Sequence, residues 1–164
     1  MRILPAEEAA SWLKRRRKAA ADVSSVVTWP TDPSTRSALA ASLAALAGWR
    51  GGAIILERPG MPRPEALAEL CALQAAHGVQ STPGDIQLGT YPGHLFDADP
   101  AINQELVRHL LETMMAGHVE GHLVTKDGAF WATVGCGVLE FRVSDKSLSG
   151  ALREVTRALH RVTP

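Results

Sequence analysis

Four times along this chain a proline opens a stretch of helix-forming residues: Pro5 before Ala6-Glu7-Glu8, Pro33 after Asp32, Pro64 before Glu65, and Pro100 after Asp99. Proline suits the first turn of a helix, where its missing N–H is not needed, and an aspartate just ahead of it caps the free amides. Short strand-like runs fall between these helices, so the chain reads as α-β-α-β-α-(β)-α-β-β-α. Such alternation predicts βαβ units, with strands buried in a sheet and helices laid on it.

The individual segments follow from their spacing. The first helix is expected to run to about Ala21, with Ala9, Trp12 and Leu13 inward, and Val23 to Trp29 is a β-branched strand closed by Pro30. Leu39, Leu43 and Leu46 give the second helix one apolar stripe, ended by Gly48. Ala53-Ile54-Ile55-Leu56 is a continuous apolar run, as expected of a central strand covered on both faces. A third helix is read from Pro64 to His77, and Asp85-Ile86-Gln87-Leu88 as a short edge strand. Ile102, Leu106, Leu110 and Met114 mark the buried side of the helix after Asp99-Pro100. Residues 121–134 form a hairpin about Asp127-Gly128, with a bend at Gly135-Cys136-Gly137 before a strand over residues 138–143. The last helix carries Leu148, Leu152, Val155 and Leu159 at a 4-3-4 spacing.

The expected architecture is therefore α/β (mixed α+β), with one domain over residues 1–164. A mixed sheet is flanked by helices, and an antiparallel C-terminal hairpin is followed by an amphipathic helix. Residues 1–22 form a basic helix at the periphery.

Composition narrows the function classes. The chain is 46% hydrophobic and 21% charged, which excludes a disordered or coiled-coil rod. Lys+Arg and Asp+Glu both number 17, so the chain is neutral, unlike a dedicated nucleic-acid coat. Cys71 and Cys136 are too few and too far apart for a disulfide framework or a zinc ribbon. No run of 18 apolar residues suggests a membrane span, and Asp22 interrupts any signal-peptide core, so the expected location is the cytoplasm.

Four features could carry function. The run Lys14-Arg15-Arg16-Arg17-Lys18 could meet phosphates or an acidic partner, although five consecutive residues point all round a helix. Residues 1–21 hold six basic and two acidic residues, whereas residues 84–120 hold one basic and six acidic, so the molecule is electrically bipolar. His94, His109, His118, Glu120 and His122 form a candidate divalent-metal set, because imidazole and carboxylate both ligate zinc or iron. Asp127 followed by Glu140-x-Arg142 resembles the acid and Glu-x-Lys arrangement of metal-dependent nucleases, with Arg142 standing where a titratable lysine is expected. Leu148, Leu152, Val155 and Leu159 form a narrow seam that could receive a partner helix.

No nucleotide-phosphate loop or nucleophile–base motif is present in the sequence. The leading expectation is a non-catalytic protein-binding or regulatory module without a cofactor, of the accessory-chaperone, immunity or inhibitor type. Its partner would be another protein or a second copy in a homodimer. A metal-dependent hydrolase using the histidine set, and a nucleic-acid binder using the basic helix, are the alternatives.

Overall fold

The computed structural model describes residues 2–17, 23–28, 30–48, 50–57, 64–76, 80, 82, 93–96, 100–117, 119–135 and 137–162. The strands are β1 (Arg2–Leu4), β2 (Val23–Thr28), β3 (Gly52–Leu56), β4 (Gly93–Phe96), β5 (Gly121–Thr125), β6 (Phe130–Gly135) and β7 (Val138–Val143). The helices are α1 (Ala6–Arg17), α2 (Pro33–Gly48), α3 (Pro64–Ala76), α4 (Pro100–Gly117) and α5 (Lys146–Val162). The strands form one seven-stranded sheet in the order β1-β4-β3-β5-β6-β7-β2.

Every ladder in that sheet is antiparallel. The α+β class and the C-terminal hairpin followed by a helix stand as read, but no two neighbouring strands run parallel. The alternation still has a physical origin. Following the ladders, β2 and β3 point the same way but are separated by β5, β6 and β7. The β2–α2–β3 connection is thus a true crossover whose strands never pair. β4–α4–β5 likewise steps over β3.

Helix starts are local and act as expected. The Asp32 carboxylate accepts the Thr35 amide at 2.7 Å and the Thr35 hydroxyl at 2.8 Å, capping α2. Asp145 accepts the Ser147 amide at 2.8 Å and caps α5 in the same way.

The pleat divides the side chains between two cores. Ile54, Leu56, Leu123, Phe130, Ala132, Leu139 and Phe141 face α2, α4 and α5 in the main core, with Leu39, Leu43, Leu110 and Met114 from the helices. The opposite face is smaller: Ala53, Ile55, Val124 and Trp131 meet Leu4 and the α1 residues Ala9 and Trp12. α1 thus rests on the sheet through Ala9, Trp12 and Leu13, the side expected to face inward. Its apolar side closes part of this second face, while its basic residues remain at the rim. Beyond α1, the flank toward β7 and β2 carries Val26 and Val138, exposed at 53% and 37%.

A cation-rimmed groove beside a carboxylate–imidazole pair

Where α1 stops covering the sheet, a groove of about 640 Å³ opens, lined by Ala10, Leu13, Lys14 and Arg17 from α1, and by Glu57, His122, Trp131, Thr133 and Arg142. The sheet register builds its floor. His122 on β5 lies opposite Ile55 of β3 on one side and Thr133 of β6 on the other. Trp131, two residues before Thr133, lies opposite Arg142 of β7. Alternation puts all of these side chains on the face that α1 half covers.

His122 is the hub, with only 13% of its side chain exposed. Its Nε2 lies 2.9 Å from Glu57 Oε1. Glu57 follows β3 directly, and its amide is held by the Glu120 carbonyl at 2.9 Å, so the pair is fixed by backbone as well as side chain. At the other ring nitrogen, Trp131 Nε1–H approaches Nδ1 at 3.1 Å and Thr133 Oγ1 at 3.2 Å. An indole can only donate, so Nδ1 is the acceptor and Nε2 carries the proton given to Glu57. The rings meet edge-on, with centroids 5.3 Å apart. The hydrogen bond from His122, with help from Arg17, holds the Glu57 carboxyl below its ordinary range against the opposing effect of partial burial.

Carboxylate, imidazole and hydroxyl thus stand in a row, with Nδ1 shared between the Thr133 hydroxyl and the Trp131 indole. The lone pair a general base would use is already engaged by the indole N–H. What the groove offers instead is charge. Lys14 and Arg17 lie one turn apart on α1. Arg142 points its Nε and Nη2 at Glu140 Oε1, at 2.9 and 2.7 Å.

The basic run is divided by the helix. Lys14 and Arg17 face the groove. Arg16 turns away, stacks 3.6 Å from the Trp12 ring centroid and donates from Nε to the Lys126 carbonyl at 2.9 Å. Arg15 is exposed, and Lys18 lies outside the described residues.

Among the described members of the histidine set, His109, Glu120 and His122 do not come together. His109 sits on α4, whose buried side belongs to the other face of the sheet, among Glu105, Arg108 and Glu112. His94 pairs by register with Ile54, whereas His122 pairs with Ile55, one residue out of phase across β3. His118 lies outside the described residues. Glu120 lies beside Gly135 and does not line the groove. Among the described residues, no group of three or more His, Cys, Asp or Glu could hold a metal ion.

The nuclease-like set also separates. Asp127 belongs to the β5–β6 turn, accepting the Ala129 amide at 3.0 Å and Arg50 Nη1 at 2.7 Å. Glu140 lies opposite Thr133, well along the hairpin from that turn, and is bonded to Arg142. The apolar seam is mostly consumed internally. Leu148 and Leu152 are buried in the main core, and Val155 and Leu159 rest partly buried against it. Cys136 and most of residues 91–99 lie outside the described residues, apart from the backbone of β4.

Glu57, Trp131 and Thr133 carry no signal in the sequence, because their proximity to His122 arises only from strand pairing. Among the described residues, no helix is long and apolar enough to cross a membrane. Neither a protein-family model, nor a curated protein, nor a solved structure matches the chain.

Proposed function

We propose that this chain is a non-catalytic protein-binding module that engages another protein through the half-covered face of its sheet. The observation that carries this reading is the flank beside α1. Val26 and Val138 are the exposed large hydrophobics among the described residues, and both lie on the same face at the β7–β2 end. These two valines, with Glu140 opposite Val26 in the ladder and the cation rim beyond, give a small apolar surface with a polar border. The indole N–H bound to His122 Nδ1 supports the same reading, since it occupies the basic nitrogen of the imidazole.

Val26→Arg tests it. The substitution keeps an exposed strand position and puts a charge in the centre of the apolar flank. Tagged wild-type and variant proteins are exposed to native-host extract, and the eluates are compared by mass spectrometry. A stoichiometric protein captured by wild type and lost from Val26→Arg supports the reading. Partner-free eluates, or equal capture by both, overturn it. Self-association sensitive to Val26→Arg would mean a homodimer in place of a separate partner.

A further inference from the structure

We infer that the groove under α1 takes the carboxylates of an acidic peptide segment, and that Glu57 occupies the site as its resident competitor. This rests on the binding-module reading and names the chemistry of the partner at that module's most structured site.

Charge complementarity carries the argument. Three cations line the groove against the single carboxylate of Glu57. Arg142 is already neutralised by Glu140. Arg17 interacts electrostatically with Glu57, whereas Lys14 has no hydrogen bond or ion pair among the described residues. The modest surplus suits carboxylates spaced along a peptide better than the denser charge of a phosphate backbone. Ala10 and Leu13 give apolar wall for the methylenes of a glutamate side chain. Nucleic acid fits less well. The basic run is dispersed around α1, with Arg16 committed to Trp12 and Lys126, and Trp131 is too buried to serve as a stacking platform.

Glu57 gives the inference its sharpest consequence. Its carboxylate already holds the proton-bearing nitrogen of His122 and draws on the charge of Arg17. An incoming carboxylate must share that field. Removing the Glu57 charge while keeping its hydrogen-bonding oxygen should improve the site, which no purely structural role for Glu57 would do.

The test uses the full chain and hexaglutamate, with hexaglutamine, inorganic phosphate and a single-stranded oligonucleotide as comparators. Binding is followed by NMR shifts of the His122 ring and Trp131 indole N–H at low salt. Hexaglutamate is expected to bind, weaken about tenfold in Lys14→Ala/Arg17→Ala, and tighten about threefold in Glu57→Gln, in keeping with exposed charge pairs worth up to about 1 kcal/mol each. Both variants alter exposed rim charges, and melting curves are to check that they fold. No hexaglutamate binding by wild type or Glu57→Gln overturns the inference, as does weaker binding in Glu57→Gln. Preference for phosphate or the oligonucleotide overturns it too. A partner lost through Val26→Arg from a chain that does not bind hexaglutamate overturns this inference alone and leaves the binding-module reading standing.

Discussion

Trp131 donates its indole N–H to Nδ1 of His122 at 3.1 Å, and this one bond fixes which nitrogen of the imidazole carries the proton. The two residues lie on adjacent strands, displaced by one pleat step on the same face. The neutral ring must then present Nε2–H to Glu57. Nitrogen-15 spectra of the neutral ring are expected to show Nδ1 as the unprotonated nitrogen. Trp131→Phe removes the donor and leaves Nδ1 to the Thr133 hydroxyl. Thr133→Val should therefore cost little alone and about 1 kcal/mol more in the Trp131→Phe background, measured by a double-mutant cycle. Equal costs in both backgrounds would show that the indole does not hold the nitrogen.

Acid should unfold this protein partly through its helix caps. Hydrogen bonds from Ser34 and Thr35 hold Asp32 down to about 2, and Ser147 with Arg50 holds Asp145 down to about 2, from an ordinary value of 3.8 in each case. A depressed folded pKa means that the folded state binds fewer protons than the unfolded chain between those values. The stabilisation is therefore present above the ordinary value of 3.8 and is lost as the pH falls toward about 2. Asp32→Asn and Asp145→Asn keep a capping oxygen but remove the titration. Their melting temperatures should vary less than wild type's across that window. An unchanged slope would rule out the caps as its source.

Arg50 ties three parts of the fold together. It follows α2 and reaches Asp127 in the β5–β6 turn and Asp145 at the start of α5, with 13% of its side chain exposed. Arg50→Met keeps much of the side-chain volume but strands two carboxylates. The expected result is a melting temperature lower by about 4–8 °C, and a gain of backbone amide exchange at both the turn and the first turn of α5. Exchange rising at only one of the two would mean that the clamp does not join them.

Much of the architecture was legible because it is local. Pro5, Asp32-Pro33 and Pro64 each mark a helix start within a few residues, and Leu39 and Leu43 of α2 and Leu110 and Met114 of α4 are buried in the core as their spacing implies. Strand order was not, because β2 finds its neighbour β7 more than a hundred residues later. β1 is only three residues long, too short to show alternation. In the site, His122 stood out by composition, whereas Glu57 comes from 65 positions earlier and meets it only because β3 pairs with β5. The 4-3-4 seam of α5 illustrates the converse. One spacing serves equally for a partner or for the molecule's own core, and Leu148 and Leu152 are buried in the latter.

Two glycines make opposite predictions about the same substitution. On β3, a Cβ added to Gly52 would fall on the Val124 carbonyl oxygen of the neighbouring strand, with Thr125 Cα also at 3.0 Å. Both obstacles are backbone, so β3 and β5 would have to separate at the centre of the sheet. On α5, a Cβ at Gly150 meets nothing within 4 Å. There, alanine only removes the entropy cost of a helical glycine, worth about 1 kcal/mol. Gly150→Ala should therefore raise the melting temperature by about 2–4 °C. Gly52→Ala should lower it by far more than that or prevent folding. Circular dichroism melts of the two variants beside wild type check both signs in one experiment. A tolerated Gly52→Ala would mean that β3 and β5 do not meet as closely as the ladder Gly52–Thr125 requires.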